Sequence, residues 1–466
     1  MNTKYFKNIF FITIFLLVVA GIYIVYLKDN NKQNSVQARN KELQISHEIS
    51  IGISNFDTIN PILTKNLEIQ HITKLIYEPL INITKDFNVE PCIAEEWSKI
   101  DELTYIIKLN ENKKWHNGEA VKIEDIEFSI NTIRDSNSIY KENVEQIDVI
   151  EKINLNTFKI HLKEPVSFFE YLLCFPILQE NTIMTQIPLG TGKFKITSME
   201  NEQIIVQGEK IKLILKIFKN TTELYNQFTR ENVDIIITEN TDYEKYIGNI
   251  GFEEKVIPGR EWVYISCDNI ENETERKELN YSINKERIVY DLYNKKYIVA
   301  DFPLAYGSYL NSEKKENYEP SGKLNKTYTL STNEENKKIA QEIKGQFEEK
   351  GIKIYIQNYR NPKADLILKQ ETISIKPTIA KYFNNEDEKN RILKAASIEN
   401  KDILKEEYSK TIDNYYENIP FIGLFLNSYI ILHTNKLKGD FSGNWYNMFY
   451  NIDTWYKIKV QVNCSP

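Results

Sequence analysis

"KLNENKKWHNGEAVKIEDIEFSI", residues 108–130, sets His116 beside Trp115 and within a few residues of Glu119, Glu124 and Asp125. Such a grouping can hold a metal or move a proton. Its periodicity points to a structural element instead. "TYIIKL" (Thr104–Leu109) alternates as a strand. Asn117-Gly118 is a tight-turn pair, because both residues tolerate positive φ. Beyond it Ile123, Ile126, Ile130 and Ile133 recur at helical spacing. Glu124 and Asp125 then fall in the first turn of that helix, where carboxylates complement its positive end. Lys122 occupies the capping position that Ser, Thr, Asp or Asn would normally fill, so the two acids carry more of that end. His116 is placed by the turn, and the stretch reads as strand, turn and helix.

The surrounding composition suits a globular protein. Of 466 residues, 41% are hydrophobic and 27% charged, enough chain for two or three domains with proper cores. A net charge of −7 supplies no basic face for nucleic acid. Residues 9–27, "IFFITIFLLVVAGIYIVYL", carry no charge over 19 positions. As a helix they would reach about 28 Å, close to the apolar thickness of a bilayer. Lys4 and Lys7 precede them, which predicts a cytoplasmic N-terminus (1–8) and a transmembrane anchor with the main domain outside the cell. A cleaved signal segment ending near Ala20 is the competing reading. Residues 28–45 are polar and aperiodic, a linker. The four cysteines, Cys92, Cys174, Cys267 and Cys464, form no zinc or redox spacing, and none lies near the anchor as a lipid-attachment site.

Strands and helices alternate along the rest of the chain, which predicts an α/β class with mixed sheets. "SFFEYLLCF" (167–175) reads as an apolar helix, and "TTELYNQFTRENVDIIIT" as a helix delivering a buried strand. The same plan recurs at 334–359. His47, His71, His161 and His433 lie far apart with no metal-binding spacing. "GTGK" (Gly190–Lys193) lacks the spacer and hydroxyl of a phosphate loop, and no nucleophile-elbow motif is present. An enzyme, a metal site and a cofactor are not expected.

Five stretches in order resemble the family 5 extracellular solute-binding proteins, the oligopeptide-, dipeptide- and nickel-binding subunits of ATP-driven importers. They are Tyr77-Glu78-Pro79-Leu80 leading through Ala94 and Trp97 to Trp115-His116-Asn117-Gly118; "FKIHLKEPVSFFEYLLCFPIL"; "IPLGTGKFKI"; "RKELNYSINKERIVYDLY"; and "NIPFIGLFLNSYIIL". The resemblance implies a two-lobed periplasmic-binding-protein-like fold of class II type, with an extra small domain, preceded by the N-terminal transmembrane helix. Lobe I would comprise 46–75, 184–258 and 430–466, the inserted small domain 76–183, and lobe II 259–429. It also implies a monomer that binds a peptide or other small solute between closing lobes and passes it to an ABC permease. A membrane-anchored sensor that kept the fold and lost transport, or a binder of chelated nickel, are the alternatives.

Peptide binders of this family hold the ligand's ammonium with an aspartate that follows a tryptophan in the second lobe. The corresponding stretch, Ala364–Phe383, has neither the tryptophan nor that aspartate pattern, and Glu371 is the carboxylate available to substitute. Trp262 and Tyr264 share one face of a strand as a candidate platform. Arg260 could fork onto a ligand carboxylate, and Asn269 ends the same strand. Asn55, Phe56 and Asn60 follow the first strand of lobe I, where the family pattern faces the cleft.

Overall fold

A computed structural model describes residues 18–25, 28, 43–181, 187–200, 202–248, 250–312, 318, 324 and 326–460. Residues 9–17 and 26–27 of the expected anchor, most of the linker and Cys464 therefore lie outside the described residues; residues 18–25 are helical. Among those described, no helix is long and apolar enough to cross a membrane.

Two long strands organise the chain. Phe252–Ser266 and Phe421–Thr434 run antiparallel, and their register shifts between Pro258 and Trp262. They form the middle of an 11-stranded sheet. On one side of the shift the sheet continues through Ile235–Thr238, Glu48–Ser54, Lys212–Phe218, Gln203–Gln207 and Lys195–Glu200. On the other it continues through Leu366–Thr372, Thr327–Ser331 and Lys353–Gln357. Each half contains parallel pairs, which require crossover helices. Thr221–Thr229 and Lys337–Glu349 supply them. Covered on both faces, the inner strands are apolar almost throughout, as "EISIGIS" and "FIGLFLNSYIILHT" are.

Burial is concentrated in two large clusters, one in each half. Trp262, Tyr328, Leu330 and Leu366 belong to one; Ile49, Ile51, Leu213 and Ile235 belong to the other. The second cluster extends into a four-stranded antiparallel sheet ordered Ala94–Asp101, Thr104–Leu109, Thr157–Leu162, Ile147–Lys152. Helix Ile123–Asp135 packs there with Ile123, Ile126, Ile130 and Ile133 buried. The segment read as a helix at 167–175 is one 3-10 turn, Phe169–Leu173. Phe168 enters it at φ 54°, a left-handed conformation that stops a helix from extending backwards.

The opening stretch folds as its pattern dictates. Asp125, 2% exposed, accepts from Trp115 Nε1 at 3.1 Å, from the Lys122 backbone N–H at 2.8 Å and from the Glu180 N–H at 2.7 Å. From the third helical position the carboxylate supplies one half of a capping box, accepting from the backbone N–H of the capping residue. Glu124 pairs with Lys152. His116 ties the turn to the glycine bend: its N–H donates to Gly190 O at 2.9 Å, and Nε2 lies 2.8 Å from Gly192 O.

Candidate functional site

The register shift between the long strands marks where the two halves meet. Gly259, Arg260 and Glu261 fill it, and the Glu261 N–H donates to Asn427 Oδ1 at 2.9 Å. A Cβ on Gly259 would stand 2.1 Å from that oxygen, so a larger residue there would push the Asn427 side chain off this bond.

Around this crossing, side chains from four parts of the chain converge. Lys74 follows helix Leu67–Thr73 in the first half; Cys174 and Tyr140 come from the inserted region. Arg260 comes from the crossing itself, and Trp445 and Tyr446 from the loop near the C-terminus. The half-buried Lys74 donates to the Tyr446 carbonyl, and its ammonium stands 3.5 Å above the Tyr446 ring. Tyr446 in turn donates its hydroxyl to Cys174 O at 3.2 Å. The Arg260 guanidinium lies 5.5 Å from the Trp445 ring centre, and Trp445 packs on Phe87 at 5.3 Å. Trp445 is 8% exposed, and its indole N–H has no acceptor among the described residues. Asn444 fixes this loop through Nδ2, which reaches Lys85 O at 3.1 Å.

The electrostatics of the seam are unusual. Burial is the main reason the Lys74 amine is brought down to about 7; the Cys174 thiol acts the other way and the Arg260 guanidinium adds to the fall. Burial raises the Cys174 thiol and the Tyr140 hydroxyl. On the same helix, burial pushes the Glu68 carboxyl up to about 7, its own backbone N–H opposes this, and the Glu239 carboxylate adds to it. Glu239 is itself raised, by burial first and then by Glu261.

Glu68 gives a stability prediction. In the folded chain it holds its proton more tightly than in the unfolded chain, where it titrates near 4.5. Its contribution is therefore full below about pH 4.5 and is lost as pH rises through about 7. Glu68→Gln is expected to flatten that decline and to stabilise the protein at pH 8 by on the order of 3 kcal/mol. Urea midpoints at pH 4.5 and pH 8 check this; an unchanged difference between the two would refute it.

The residues singled out from sequence are distributed as follows. Arg260 is in the seam and exposed; among the described residues its guanidinium makes no hydrogen bond or ion pair. Trp262 is wholly buried, donates Nε1 to Ala300 O at 3.0 Å and stacks on Tyr264 at 4.3 Å. Tyr264 donates to Glu371 Oε1 at 2.7 Å, and Lys381 pairs with Glu371 Oε2 at 2.8 Å. Burial would raise the Glu371 carboxyl, but Lys381 and Tyr264 together hold it below the ordinary value. Trp262, Tyr264 and Glu371 thus form one cluster, with Lys381 as the cation paired to Glu371. Asn269 caps a turn, donating to Pro362 O and Ala364 O at 2.9 and 2.7 Å. Asn60 is buried and accepts from the Ile62 N–H at 3.0 Å. Asn55 and Phe56 line an open recess of about 600 Å³ with Lys216, Phe218 and Glu223, in the first half. Sequence reasoning passed over Lys74, Trp445 and Tyr446. The lysine was findable, since it breaks the apolar run of "HITKLIYEPL"; the two aromatics reach the seam by tertiary placement alone.

Among the described residues, no group of three or more His, Cys, Asp or Glu side chains could hold a metal ion.

Comparison with known proteins agrees with this architecture. Residues 88–385 match the model of the bacterial extracellular solute-binding proteins, family 5, middle region. A glutathione-binding protein GsiB from Pectobacterium atrosepticum is 25% identical over 271 residues, 52% of this chain and 52% of its own. The chain spans between a quarter and about half the length of the curated relatives it matches. A nickel ABC transporter structure from Bacillus halodurans superposes with a TM-score of 0.71 at 18% identity, covering 86% of this chain and 98% of that one. The oligopeptide-binding protein AppA from Bacillus subtilis, in complex with a nonapeptide, gives 0.56 at 18% identity, covering 90% and 100%. At such identity these likenesses establish the fold, the two-lobed α/β architecture of periplasmic binding proteins.

Proposed function

The chain belongs to family 5 of the bacterial extracellular solute-binding proteins, and we propose that it captures a short peptide between its lobes and delivers it to an ABC-type permease. Proteins of this family bind solutes and are not enzymes. The observation that carries the proposal is the seam at Arg260, where the Arg260 guanidinium and the Trp445 indole, neither hydrogen-bonded among the described residues, lie beside the crossing of two strands shared by both halves. Ligand bound there touches both lobes, so it favours the closed arrangement over the open one.

In this reading lobe I comprises 46–75, 184–258 and 430–466, the small domain 76–183 and lobe II 259–429. Arg260 touches the ligand, while Trp262, Tyr264 and Glu371 support the wall behind it. Residues 9–27 hold the protein at the membrane with its lobes outside the cell. The named ligands of its relatives, a nonapeptide and glutathione, favour a peptide.

Thermal unfolding of the full chain in detergent, with mixed di- to pentapeptides, glutathione or nickel–histidine added, tests the proposal. A peptide present at a hundred times its Kd should stabilise by about 2.7 kcal/mol. A shift with nickel–histidine alone replaces the peptide by a chelate, and no shift with any of these overturns the binding role. Binding without peptide uptake by cells would identify a membrane-anchored sensor in place of an importer subunit.

A further inference from the structure

We propose that the hairpin tip Thr84–Asn88 is a latch that holds the two lobes together in the ligand-free chain, with the Phe87 ring as its bolt. This needs the two-lobed fold and the domain division given above, and it is independent of which solute is captured.

Strands Ile81–Ile83 and Val89–Pro91 of the small domain pair antiparallel. The tip between them is closed on itself: the Thr84 N–H donates to Asn88 O at 2.8 Å, and the Phe87 N–H to Thr84 O at 3.1 Å. Phe87 stands at φ 59°, a left-handed conformation that a bulky side chain rarely adopts. Such strain persists only where the surroundings over-determine it, and it gathers in switch regions.

The surroundings here belong to three bodies. From the C-terminal part of lobe I, Asn444 Nδ2 reaches Lys85 O at 3.1 Å and Thr84 O at 3.3 Å, and Trp445 packs on the Phe87 ring at 5.3 Å. From lobe II, the Tyr309 N–H donates to Asp86 O at 2.9 Å. Phe87, 3% exposed, shares one buried cluster with Leu304, Ala305 and Leu310 of that lobe. Within the small domain, the Tyr171 hydroxyl donates to Phe87 O at 3.1 Å, and its oxygen also meets the Tyr309 hydroxyl.

Away from the tip the two bodies meet loosely. Asn88, Trp97 and Phe168 of the small domain and Tyr309, Leu393 and Leu404 of lobe II border a recess of about 530 Å³. Side chains that line such a gap have no partner atoms across it, so the tip carries a large share of the contact. Trp445 also lies 5.5 Å from the Arg260 guanidinium at the strand crossing, which seats the tip beside the hinge. Rotation about the crossing draws Tyr309 away from Asp86 and bares the Phe87 ring; closure buries it again. A solute enters only while the latch is open, so entry slows in proportion to the closed fraction.

Hydrogen exchange of the full chain in detergent, without ligand and in low urea, tests this at the Tyr309 amide, whose acceptor lies across the interface. That amide should be protected, and should exchange through an opening that leaves Thr327–Ser331 and Glu48–Ser54 closed. Phe87→Asn keeps a residue that tolerates positive φ and removes the ring; exchange at Tyr309 should quicken at least about tenfold, with the two strands unchanged. Tyr171→Phe removes only a hydroxyl and should act in the same direction, by less. An unprotected Tyr309 amide in the unaltered chain would mean that the ligand-free lobes stand apart, and the latch falls. Exchange at Tyr309 only in step with Thr327–Ser331 would make the tip a fixed domain contact and not a latch. Unchanged rates in the variants would remove the tip's role. Should Phe87→Asn fail to fold, Tyr171→Phe and the unaltered chain decide the matter by the same readings.

Discussion

Asp125→Ala is expected to destabilise the protein by about 3–5 kcal/mol, more than most single substitutions. The carboxylate is 2% exposed and is the acceptor for three donors: the Trp115 indole, the Lys122 N–H and the Glu180 N–H. Truncation strips all three at once in a place that water does not reach, and each orphaned donor carries a desolvation penalty. The three come from the turn, the helix start and the segment after the small sheet, so the damage spreads across the inserted region. Asp125→Asn keeps one accepting oxygen and should recover part of the loss. Urea unfolding gives the magnitude, and hydrogen exchange of the amides in Ile123–Asp135 shows whether the region opens ahead of the rest. A loss below about 1 kcal/mol would mean that the three donors find other partners.

Asp234→Ala should cost a similar amount, about 3–5 kcal/mol, for a different reason. Asp234 accepts from the Ser50 N–H at 2.8 Å, the Ser50 hydroxyl at 2.7 Å and Lys457 Nζ at 2.8 Å. Removing it leaves an ammonium with a mostly buried stem and no counter-charge. Lys457→Met leaves the complementary buried carboxylate, although Ser50 still donates to it. The double variant Asp234→Ala/Lys457→Met should therefore lose less than the sum of the two, a coupling readable from denaturant midpoints. Simple additivity would show that the pair is not acting as a unit.

The sequence carried the fold further than it carried the site. The strand, turn and helix around Asn117-Gly118 follow from local periodicity, and turn and cap chemistry act within a few residues. The alternation around Lys337–Glu349 was legible for the same reason. Where tertiary context decides, the pattern misled: "SFFEYLLCF" has the composition of a helix, but the left-handed Phe168 leaves one 3-10 turn. The seam is harder still. Lys74 and Trp445 are 371 positions apart, and no spacing rule joins them. Trp262 and Tyr264 share a strand face as expected, but a face does not say whether it meets solvent, ligand or core, and here it meets Tyr382 and Phe421.

The pairing of Glu48–Ser54 through Ile235–Thr238 to Phe421–Thr434 has a consequence for how the chain is made. The strand that completes the pairing of Ile235–Thr238, itself beside the earliest central strand, belongs to a segment synthesised almost two hundred residues later. While the polypeptide is still emerging from the ribosome, the apolar edge of Ile235–Ile237 therefore has nothing to pair with. The first half cannot reach its final packing before the last tenth of the chain arrives. Such an order of assembly favours a chaperone-bound nascent chain and delays compaction until synthesis is nearly complete. That delay suits a polypeptide that must cross a membrane before it folds.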